Sequence, residues 1–360
     1  MRVLRDGSWC KEVRMAYRDT LHGVNLTGWL SLKSWVTPDL FAGTGALGER
    51  GVAETLGRGL YRDLVREHRS TFITCDDFEQ IARRGFNAVR LPVPWYVFGK
   101  RGPGPSFNVG CVEYVDDAMD WAHDNNLSVL LVLDICPGRQ NEENEISSTG
   151  RNKREGMLSV LAGLASRYGQ SSALMGIEVA DEPLVQHRKG LLGITEGVSP
   201  HALRNYYREA YAVIREAAGD ETCVVLPDGG LPNAWRGFMS SSRYRNVWLD
   251  CHLYHYTDQL DATGPAGASK LVARSRDVLA RAKRCGMPVM VGAWSAALPF
   301  ADSLMTPEGR IALERVYCSE QIAAFDDLPA WFFQTWKTGA QLSGWDSRVA
   351  LASFERSMLE

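Results

Sequence analysis

Eight short runs rich in Val, Ile and Leu, separated by longer helix-patterned stretches, constrain the fold of this chain more than any other feature. Short apolar strands buried on both faces and joined by helices are typical of a parallel sheet. Eight of them in one chain favour a closed (β/α)₈ barrel. The predicted strands are residues 22–26, 87–91, 128–134, 174–180, 222–226, 247–252, 288–292 and 330–336.

The stretches between these strands have the periodicity of helices. An open, doubly wound sheet would show the same alternation, but the G-x-G-x-x-G turn that usually follows its first strand is absent. We therefore predict a single barrel domain over residues 21–360, preceded by a short cap segment over residues 1–20. The predicted helices are 75–84, 112–125, 153–168, 201–218, 269–284 and 308–325.

Composition excludes several classes of protein. A chain that is 45% hydrophobic and 23% charged can bury a large core and is not disordered. Its longest apolar run, residues 128–135, is far shorter than the roughly 20 residues of a membrane-spanning helix. A net charge of −3 gives no electrostatic case for binding nucleic acid or an anionic membrane. The sequence also has no glycine-rich cradle for a cofactor phosphate, so we expect no cofactor.

The eight cysteines are scattered and form no Cys-x-x-Cys pair. Several lie in apolar segments, which favours reduced, buried thiols over disulfides or a zinc site. The first residues contain no apolar stretch of signal-peptide length. We therefore expect a cytosolic protein, although a chain from which a leader had been removed would begin in the same way.

Polar and aromatic side chains follow the carboxyl ends of the predicted strands, which meet at the catalytic face of a (β/α)₈ barrel. Carboxylates bond to sugar hydroxyls, and aromatic rings pack on the C–H faces of sugars. Five of the 11 tryptophans fall beside these strand ends, so a small carbohydrate is the expected partner. The candidate residues are Lys33, Trp35, Arg90, Trp95, Asp134, Asn141, Asp181, Glu182, His252, Tyr254, Ala293, Trp294 and Trp336.

Seven segments in the same order resemble glycoside hydrolase family 5, in particular its exo-β-1,3-glucanase-like branch. The resemblance runs from about residue 20 to residue 340, and it rests on the order of the motifs, since each one alone is weak. It implies a retaining β-glycosidase with an acid/base Glu after strand four and a nucleophilic Glu after strand seven. The segments are HGVNLTGWL (22–30), WVTPDLF (35–41), GFNAVRLP (85–92), PGRQN (137–141), GIEVADEP (176–183), VGAWSAA (291–297) and FFQTWKT (332–338).

Retaining hydrolysis needs two carboxyl groups, one to protonate the leaving oxygen and one to attack the anomeric carbon. The resemblance assigns the acid/base role to Glu182 and the nucleophile position to Ala293, where the family has Glu. A methyl group cannot attack, so the chain as written should not perform the double displacement. A deliberate Glu→Ala substitution is the favoured explanation, because the flanking residues keep the active pattern. A natural sugar-binding pseudoenzyme and rescue by another carboxylate remain open.

Three further positions depart from the exo-glucanase pattern. Asp181 replaces the Asn that contacts the sugar 2-OH, and its charge would favour the protonated form of Glu182. Lys33 replaces a Glu, and Asp134 replaces a His. These two changes would reverse an acidic and basic pair, and the two side chains would then contact each other. Alternatively, Lys33 faces an acidic or phosphorylated sugar, or it lies in solvent.

The resemblance also gives roles to the remaining candidates. Tyr254 would orient the nucleophile, His252 would hold the sugar, and Arg90, without a nucleophile to support, would pair with Glu178 or Asp181. His252 lacks the partners of a metal site, so no metal is expected.

The tryptophans complete the predicted site. Trp336 would form the platform under the sugar, and Trp29, Trp35, Trp95 and Trp294 would be wall residues, with plain packing an equal alternative for each. The expected function is a retaining exo-β-glycosidase for a small β-glycoside, impaired at Ala293. The alternatives are a non-catalytic carbohydrate-binding protein and a glycosidase for an acidic or phosphorylated sugar.

Overall fold

The chain folds into a closed barrel of eight parallel strands, as the sequence predicts. The structure, a computed structural model, describes residues 20–99, 109–134, 151–183, 185, 187–189, 194–196, 198–258, 264–299 and 306–352. Each strand pairs with its neighbours in the chain, and β1 closes the barrel against β8. The strands are β1 Leu21–Asn25, β2 Ala88–Val93, β3 Ser128–Leu133, β4 Leu174–Glu178, β5 Cys223–Pro227, β6 Val247–Leu253, β7 Val289–Trp294 and β8 Ala330–Phe333.

Helices follow the strands around the barrel, and six of them match the predicted ones closely. The first helix, α1, lies in the long connection between β1 and β2 and was not predicted. The predicted cap falls on residues 1–20, of which 1–19 lie outside the described residues. The helices are α1 Glu49–Thr71, α2 Cys75–Arg83, α3 Val112–Asp124, α4 Arg151–Tyr168, α5 Pro200–Ala218, α6 Gly264–Ala282, α7 Pro307–Ala324 and α8 Ser347–Ala350.

Local sequence signals set where several helices begin. Thr74 and Asp77 form a capping box at the start of α2. Ser199 and Thr306 accept hydrogen bonds from the first turns of α5 and α7, and a proline follows each of them at the first helical position. None of the helices in the described part of the chain is long and apolar enough to cross a membrane. The six described cysteines are free thiols, and all but Cys75 are buried.

The interior of the barrel changes from apolar to charged along its axis. Apolar side chains at the amino ends of the strands, such as Leu21, Ala88 and Ala330, fill its lower part. Above them lie Arg90 and Glu178, which are 2% and 0% exposed. Because a buried charge is costly unless it is paired, this layer must be an organised polar network.

A shift in register between β6 and β7 sets the position of Ala293. Cys251 pairs with Val291, but the next pair is His252 with Ala293, so Gly292 is an extra residue on β7. Paired residues of neighbouring strands project to the same face of a sheet. His252 lines the cavity at the top of the barrel, so Ala293 also faces the inner side.

The loop after β1 is fixed from below by α1. Glu49 accepts a hydrogen bond from the Leu32 amide at 3.0 Å, and the Arg69 guanidinium donates to the Leu30 carbonyl at 2.7 Å. The His68 imidazole donates from Nε2 to the Gly28 carbonyl at 2.7 Å. The unpredicted helix α1 therefore holds the loop that presents Lys33 and Trp35 to the cavity.

Candidate active site

A cavity of about 510 Å³ opens at the carboxyl ends of the strands, where a (β/α)₈ barrel holds its active site. Eight of the thirteen candidate residues line it, and they come from the ends of five strands. Those eight are Lys33, Trp35, Arg90, Asp134, Asp181, Glu182, His252 and Tyr254. The other lining residues are Thr27, Pro92, Tyr256, Gln334, Leu342 and Trp345.

Arg90 organises the floor of the cavity. Its guanidinium donates to Glu178 Oε2 at 2.9 Å, to Asn25 Oδ1 at 2.9 Å and to Asp181 Oδ1 at 2.7 Å. Although burial alone would lower the pKa of Arg90, the charges of Glu178 and Asp181 raise it well above its usual value. The predicted pairing of Arg90 with Glu178 or Asp181 is confirmed, since it binds both.

Glu182 follows β4 and reaches the cavity from a backbone with φ of 39°, in the left-handed region that side chains other than glycine rarely adopt. Such outliers are found at functional sites, where the surroundings hold the strained residue in place. Its Oε1 lies 2.7 Å from His252 Nδ1, and its side chain is 41% exposed. Glu182 can therefore reach a bound ligand while His252 fixes its direction.

His252 lies between two carboxylates. Its Nε2 is 3.0 Å from Asp250 Oδ2, and its Nδ1 contacts Glu182. Although burial alone would lower the pKa of His252, Asp250 and Glu182 raise it well above its usual value. Burial would raise the pKa of Glu182, but the hydrogen bond and charge of His252 bring it below its usual value.

From the sequence we expect the charge of Asp181 to favour the protonated form of Glu182, but the pKa of Glu182 is lowered overall. Instead, Arg90 binds Asp181, and His252 lowers the pKa of Glu182. The sequence indicated Arg90 as a partner of Asp181, but it did not indicate that His252 would contact Glu182.

Lys33 and Asp134 form the contact that the reversed pair predicts. Lys33 Nζ lies 3.0 Å from Asp134 Oδ1, and Ser31 donates to the other oxygen at 2.7 Å. Burial alone would lower the pKa of Lys33, but Asp134, Asp181 and Glu182 raise it. Lys33 is therefore a paired cation in the cavity wall.

Aromatic rings form the opposite wall, with Trp345 at the centre. Its ring centroid lies 5.1 Å from Trp35, 5.1 Å from Tyr256 and 5.7 Å from Tyr254. Trp35 and Tyr256 are partly exposed, at 37% and 47%. This arrangement offers apolar ring faces and edges opposite the charged wall, as a ligand with both C–H faces and hydroxyls requires.

Four of the predicted tryptophans do not reach the cavity. Trp29 is 0% exposed and donates to the Arg69 carbonyl at 2.8 Å. Trp336 is 0% exposed, donates to Asp77 Oδ1 at 2.8 Å and has the Arg84 guanidinium over its ring at 5.4 Å, so its prediction as a sugar platform is wrong. Trp294 packs outside the barrel against Phe325, Trp331 and Phe333. Trp95 is 5% exposed and packs against Tyr96. Asn141 lies outside the described residues.

Sequence reasoning missed Trp345, Tyr256 and Gln334. Strand β8 ends at Phe333, so Gln334, whose Oε1 accepts a hydrogen bond from Thr27, is the first residue beyond it. The prediction extended this strand to Trp336 and so placed the wrong residue at the cavity. Trp345 lies on a loop well beyond the end of β8, so a search limited to the residues at strand ends does not find it. Tyr256 comes two residues after Tyr254, beyond the family's His-x-Tyr motif.

One group within the described residues has the spacing of metal ligands. Atoms of Glu178, Asp181 and His252 lie within 4.8 Å of one another. Arg90, however, already bonds to both carboxylates and so supplies the positive charge at this point. The arrangement is that of a buried ion-pair network, and we assign no metal to it.

The barrel, the strand-end carboxylates and the aromatic wall define a carbohydrate-active enzyme of the (β/α)₈ class. The profile of the family described as Cellulase (glycosyl hydrolase family 5) matches residues 65–301. The chain therefore belongs to glycoside hydrolase family 5, which confirms the resemblance seen in its motifs.

Individual relatives agree with this assignment. The chain is 31% identical over 384 residues to a "Probable glucan 1,3-beta-glucosidase A" of Aspergillus fumigatus, covering 94% of this chain and 87% of the relative. It is 28% identical over 368 residues to a "Glucan 1,3-beta-glucosidase" of Blumeria graminis, covering 88% and 82%. The crystal structure of rutinosidase from Aspergillus niger matches with a TM-score of 0.76 at 17% identity, over 95% of this chain and 98% of that one, which supports the fold.

Proposed function

We propose that this chain is built as a retaining exo-β-glycosidase and that, with alanine at position 293, it binds a small β-glycoside without performing the double displacement. The observation that supports this most strongly is the pairing of Ala293 with His252, which holds Glu182. In a retaining enzyme the two carboxyl groups lie about 5–5.5 Å apart across the scissile bond. The strand register places position 293 beside the residue that contacts Glu182, and alanine there supplies no second carboxylate.

The dimensions of the cavity favour a small ligand. A volume of about 510 Å³ falls within the range of about 300–1,000 Å³ that small-molecule sites occupy. We propose that the charged wall binds the sugar hydroxyls and that Trp345 and its neighbours contact the C–H face of the sugar or the aglycone.

The surroundings of Ala293 favour a natural change over a single deliberate substitution. Asp181 and Lys33 both differ from the family pattern, and each has a matching partner, in Arg90 and Asp134. A deliberate Glu→Ala substitution would leave the neighbouring residues as the active enzyme has them. We therefore propose that the whole sugar subsite has been altered together.

The same pairs argue against an acidic or phosphorylated sugar. The positive charge of Lys33 is already matched by Asp134, with Asp181 and Glu182 nearby. A phosphate placed against Lys33 would meet these three carboxylates. A neutral glycoside is the better candidate. The second candidate function is a non-catalytic carbohydrate-binding protein, which the missing nucleophile itself favours.

Restoring the carboxylate tests the proposal. The Ala293→Glu variant should hydrolyse 4-nitrophenyl β-glycosides, with kcat/KM at least about 10³-fold above the parent protein. The matched control is Ala293→Gln, which has the same shape but cannot attack. Azide added to the parent should displace 4-nitrophenolate, a leaving group that needs no proton from Glu182, and give the α-glycosyl azide.

The outcomes separate the two candidates. Hydrolysis by Ala293→Glu but not by Ala293→Gln supports the glycosidase. If neither variant nor azide gives turnover across a panel of glucosides, galactosides, mannosides and xylosides, but calorimetry detects binding to the parent, the carbohydrate-binding function is correct. Equal turnover by both variants would show that another carboxylate acts as the nucleophile.

A further inference from the structure

The ring of His252 is held between two carboxylates at hydrogen-bond distance. Nδ1 lies 2.7 Å from Glu182 Oε1, and Nε2 lies 3.0 Å from Asp250 Oδ2. An ionised carboxylate only accepts hydrogen bonds, whereas a neutral imidazole has a single N–H. With both carboxylates ionised, both contacts are satisfied only when His252 carries a proton on each nitrogen.

Asp250 cannot turn away from His252. It is 0% exposed on β6, and its Oδ1 accepts a hydrogen bond from the Gly292 amide. Gly292 faces the same carboxylate so closely that a Cβ on residue 292 would overlap it. The bulge on β7 thus fixes Asp250, and Asp250 fixes the ring.

We infer that Asp250 is a positioning residue that holds His252 as an imidazolium and through it keeps Glu182 ionised. The cavity then offers a general base at neutral pH in place of a general acid. The identification of Glu182 as the acid/base residue rests on the proposed function, but its charge state does not.

Most of the charged groups on the other elements also favour a positively charged His252 and an ionised Glu182. One acts against this: Arg90 Nη2 lies 3.4 Å from His252 Nε2 and opposes a second positive charge there. That distance is longer than the 3.0 Å to Asp250, and Nη2 donates to Asp181 at 2.7 Å. The groups facing His252 are Asp250, Glu182, Glu178, Asp181, Asp228 and Arg90, and those facing Glu182 are His252, Lys33, Arg90 and the hydroxyl of Tyr254.

The direction of the pKa shifts agrees with the geometry. Asp250 and Glu182 outweigh burial and raise the pKa of His252, while His252 outweighs burial and lowers that of Glu182. An ionised Glu182 accepts a hydrogen bond or a proton from a ligand hydroxyl. The cavity is thus arranged to bind an alcohol or a free sugar hydroxyl at Glu182, and it is poorly arranged to protonate a glycosidic oxygen.

Nuclear magnetic resonance of the folded parent protein tests the inference without any substrate. With ¹⁵N-labelled histidine, the His252 signals are assigned among the seven histidines by comparison with His252→Gln. Both ring nitrogens should stay protonated from about pH 5 to pH 8. In Asp250→Asn, the midpoint of His252 should fall by at least about one pH unit, and the midpoint of the ¹³C-labelled Glu182 carboxyl should rise.

Asp228→Asn is the matched control, because Asp228 is a buried carboxylate that acts on His252 only through its charge. It should shift the His252 midpoint by less than half as much as Asp250→Asn. If Asp250→Asn does not fold, His252→Gln keeps a neutral donor to Glu182 and should by itself raise the Glu182 midpoint. A parent His252 that is neutral at pH 7, or a Glu182 midpoint unchanged in these variants, would overturn the inference. Hydrolysis by Ala293→Glu would be unaffected by that result.

Discussion

Lys33 and Asp134, 101 residues apart in the sequence, form an ion pair of 3.0 Å in the wall of the cavity. Asp134 is 2% exposed and Lys33 is 28% exposed, so the pair is shielded from solvent on one side. Lys33 stands where the family pattern has an acidic residue, and Asp134 stands where it has a histidine. Each of the two residues therefore supplies the charge that the other requires. The cavity wall thus has an ion pair at these two positions, with the positive charge after β1 and the negative charge after β3.

The strength of this pair is measurable with a double-mutant cycle of Lys33→Met and Asp134→Asn. We expect a coupling free energy of about 1 kcal/mol in urea unfolding, because the pair is partly buried. The exposed pair Arg50 and Glu54, one turn apart on α1, is the control and should couple by at most about 0.5 kcal/mol. Equal coupling in the two cycles would show that Lys33 and Asp134 are held no more tightly than a surface pair.

Two tryptophans separate ligand binding from stability. Trp345→Ala should weaken binding of 4-nitrophenyl β-glucoside in calorimetry by about tenfold or more, because it removes the centre of the aromatic wall. Trp336→Phe should leave that affinity unchanged and lower the free energy of unfolding by about 1 kcal/mol, because it removes one buried hydrogen bond to Asp77, which keeps its bonds from Lys337 and Thr74. The reverse pattern would restore Trp336 as the sugar platform.

The barrel itself was predictable because its signals are local. Eight apolar runs and their helices appear in the sequence, and most observed boundaries differ from the predicted ones by one or two residues. Helix α1 was missed because its apolar face packs on a loop and not on the barrel: Tyr61 and Val65 bury against Phe41. Its periodicity is interrupted by Gly57, which has a φ of 75°.

The site was less predictable, since it depends on where a strand ends and which way a side chain turns. Trp336 and Gln334 differ by two positions, and only the end of β8 at Phe333 decides which of them meets the cavity. The state of Glu182 depends on Asp250, which is 68 residues away and was not a candidate. Family motifs indicate which residues are near the chemistry, but not which charges face one another.

Adding one methyl group at position 292 should disturb the site from within the barrel. In Gly292→Ala the new Cβ would overlap the Asp250 carboxylate, so Asp250 must move or the strands must separate. We expect a loss of about 2 kcal/mol or more in the free energy of unfolding by urea. The control is Gly59→Ala on α1, where a Cβ would meet no atom within 4 Å and where, as at Gly292, the backbone has no positive φ.

The buried His68 predicts acid sensitivity. Burial lowers its pKa from 6.5 to about 4 in the folded protein. As the pH falls from about 6.5 towards 4, the unfolded chain binds a proton that the folded one does not, so stability is lost in that window and is unaffected above it. Between about pH 7.5 and 4.5, parent protein should lose about 2–3 kcal/mol more than His68→Gln in urea unfolding. Equal losses would show that His68 is solvated in the folded state.

A carboxylate at position 293 should change the proton affinity of Glu182. In Ala293→Glu the two like charges oppose each other, so the pKa of Glu182 should rise by about one unit or more. The upper limb of the pH profile of kcat/KM reports this value, and ¹³C NMR of the labelled Glu182 carboxyl measures it directly. Ala293→Gln should leave the Glu182 midpoint near that of the parent. A rise in both variants would indicate an effect of side-chain volume.

Because β7 contains one extra residue, Gly292 contacts the interior network and Ala293 occupies the position of the nucleophile. The Gly292 amide bonds to Asp250 in the interior network. Neither of the described apolar cores that pack against β7 includes Ala293. A change of side chain at 293 therefore leaves the contacts within these apolar cores in place. Loss of a carboxylate at position 293 would thus remove the nucleophile and leave the fold unchanged, and the same position is the direct one at which to restore catalysis.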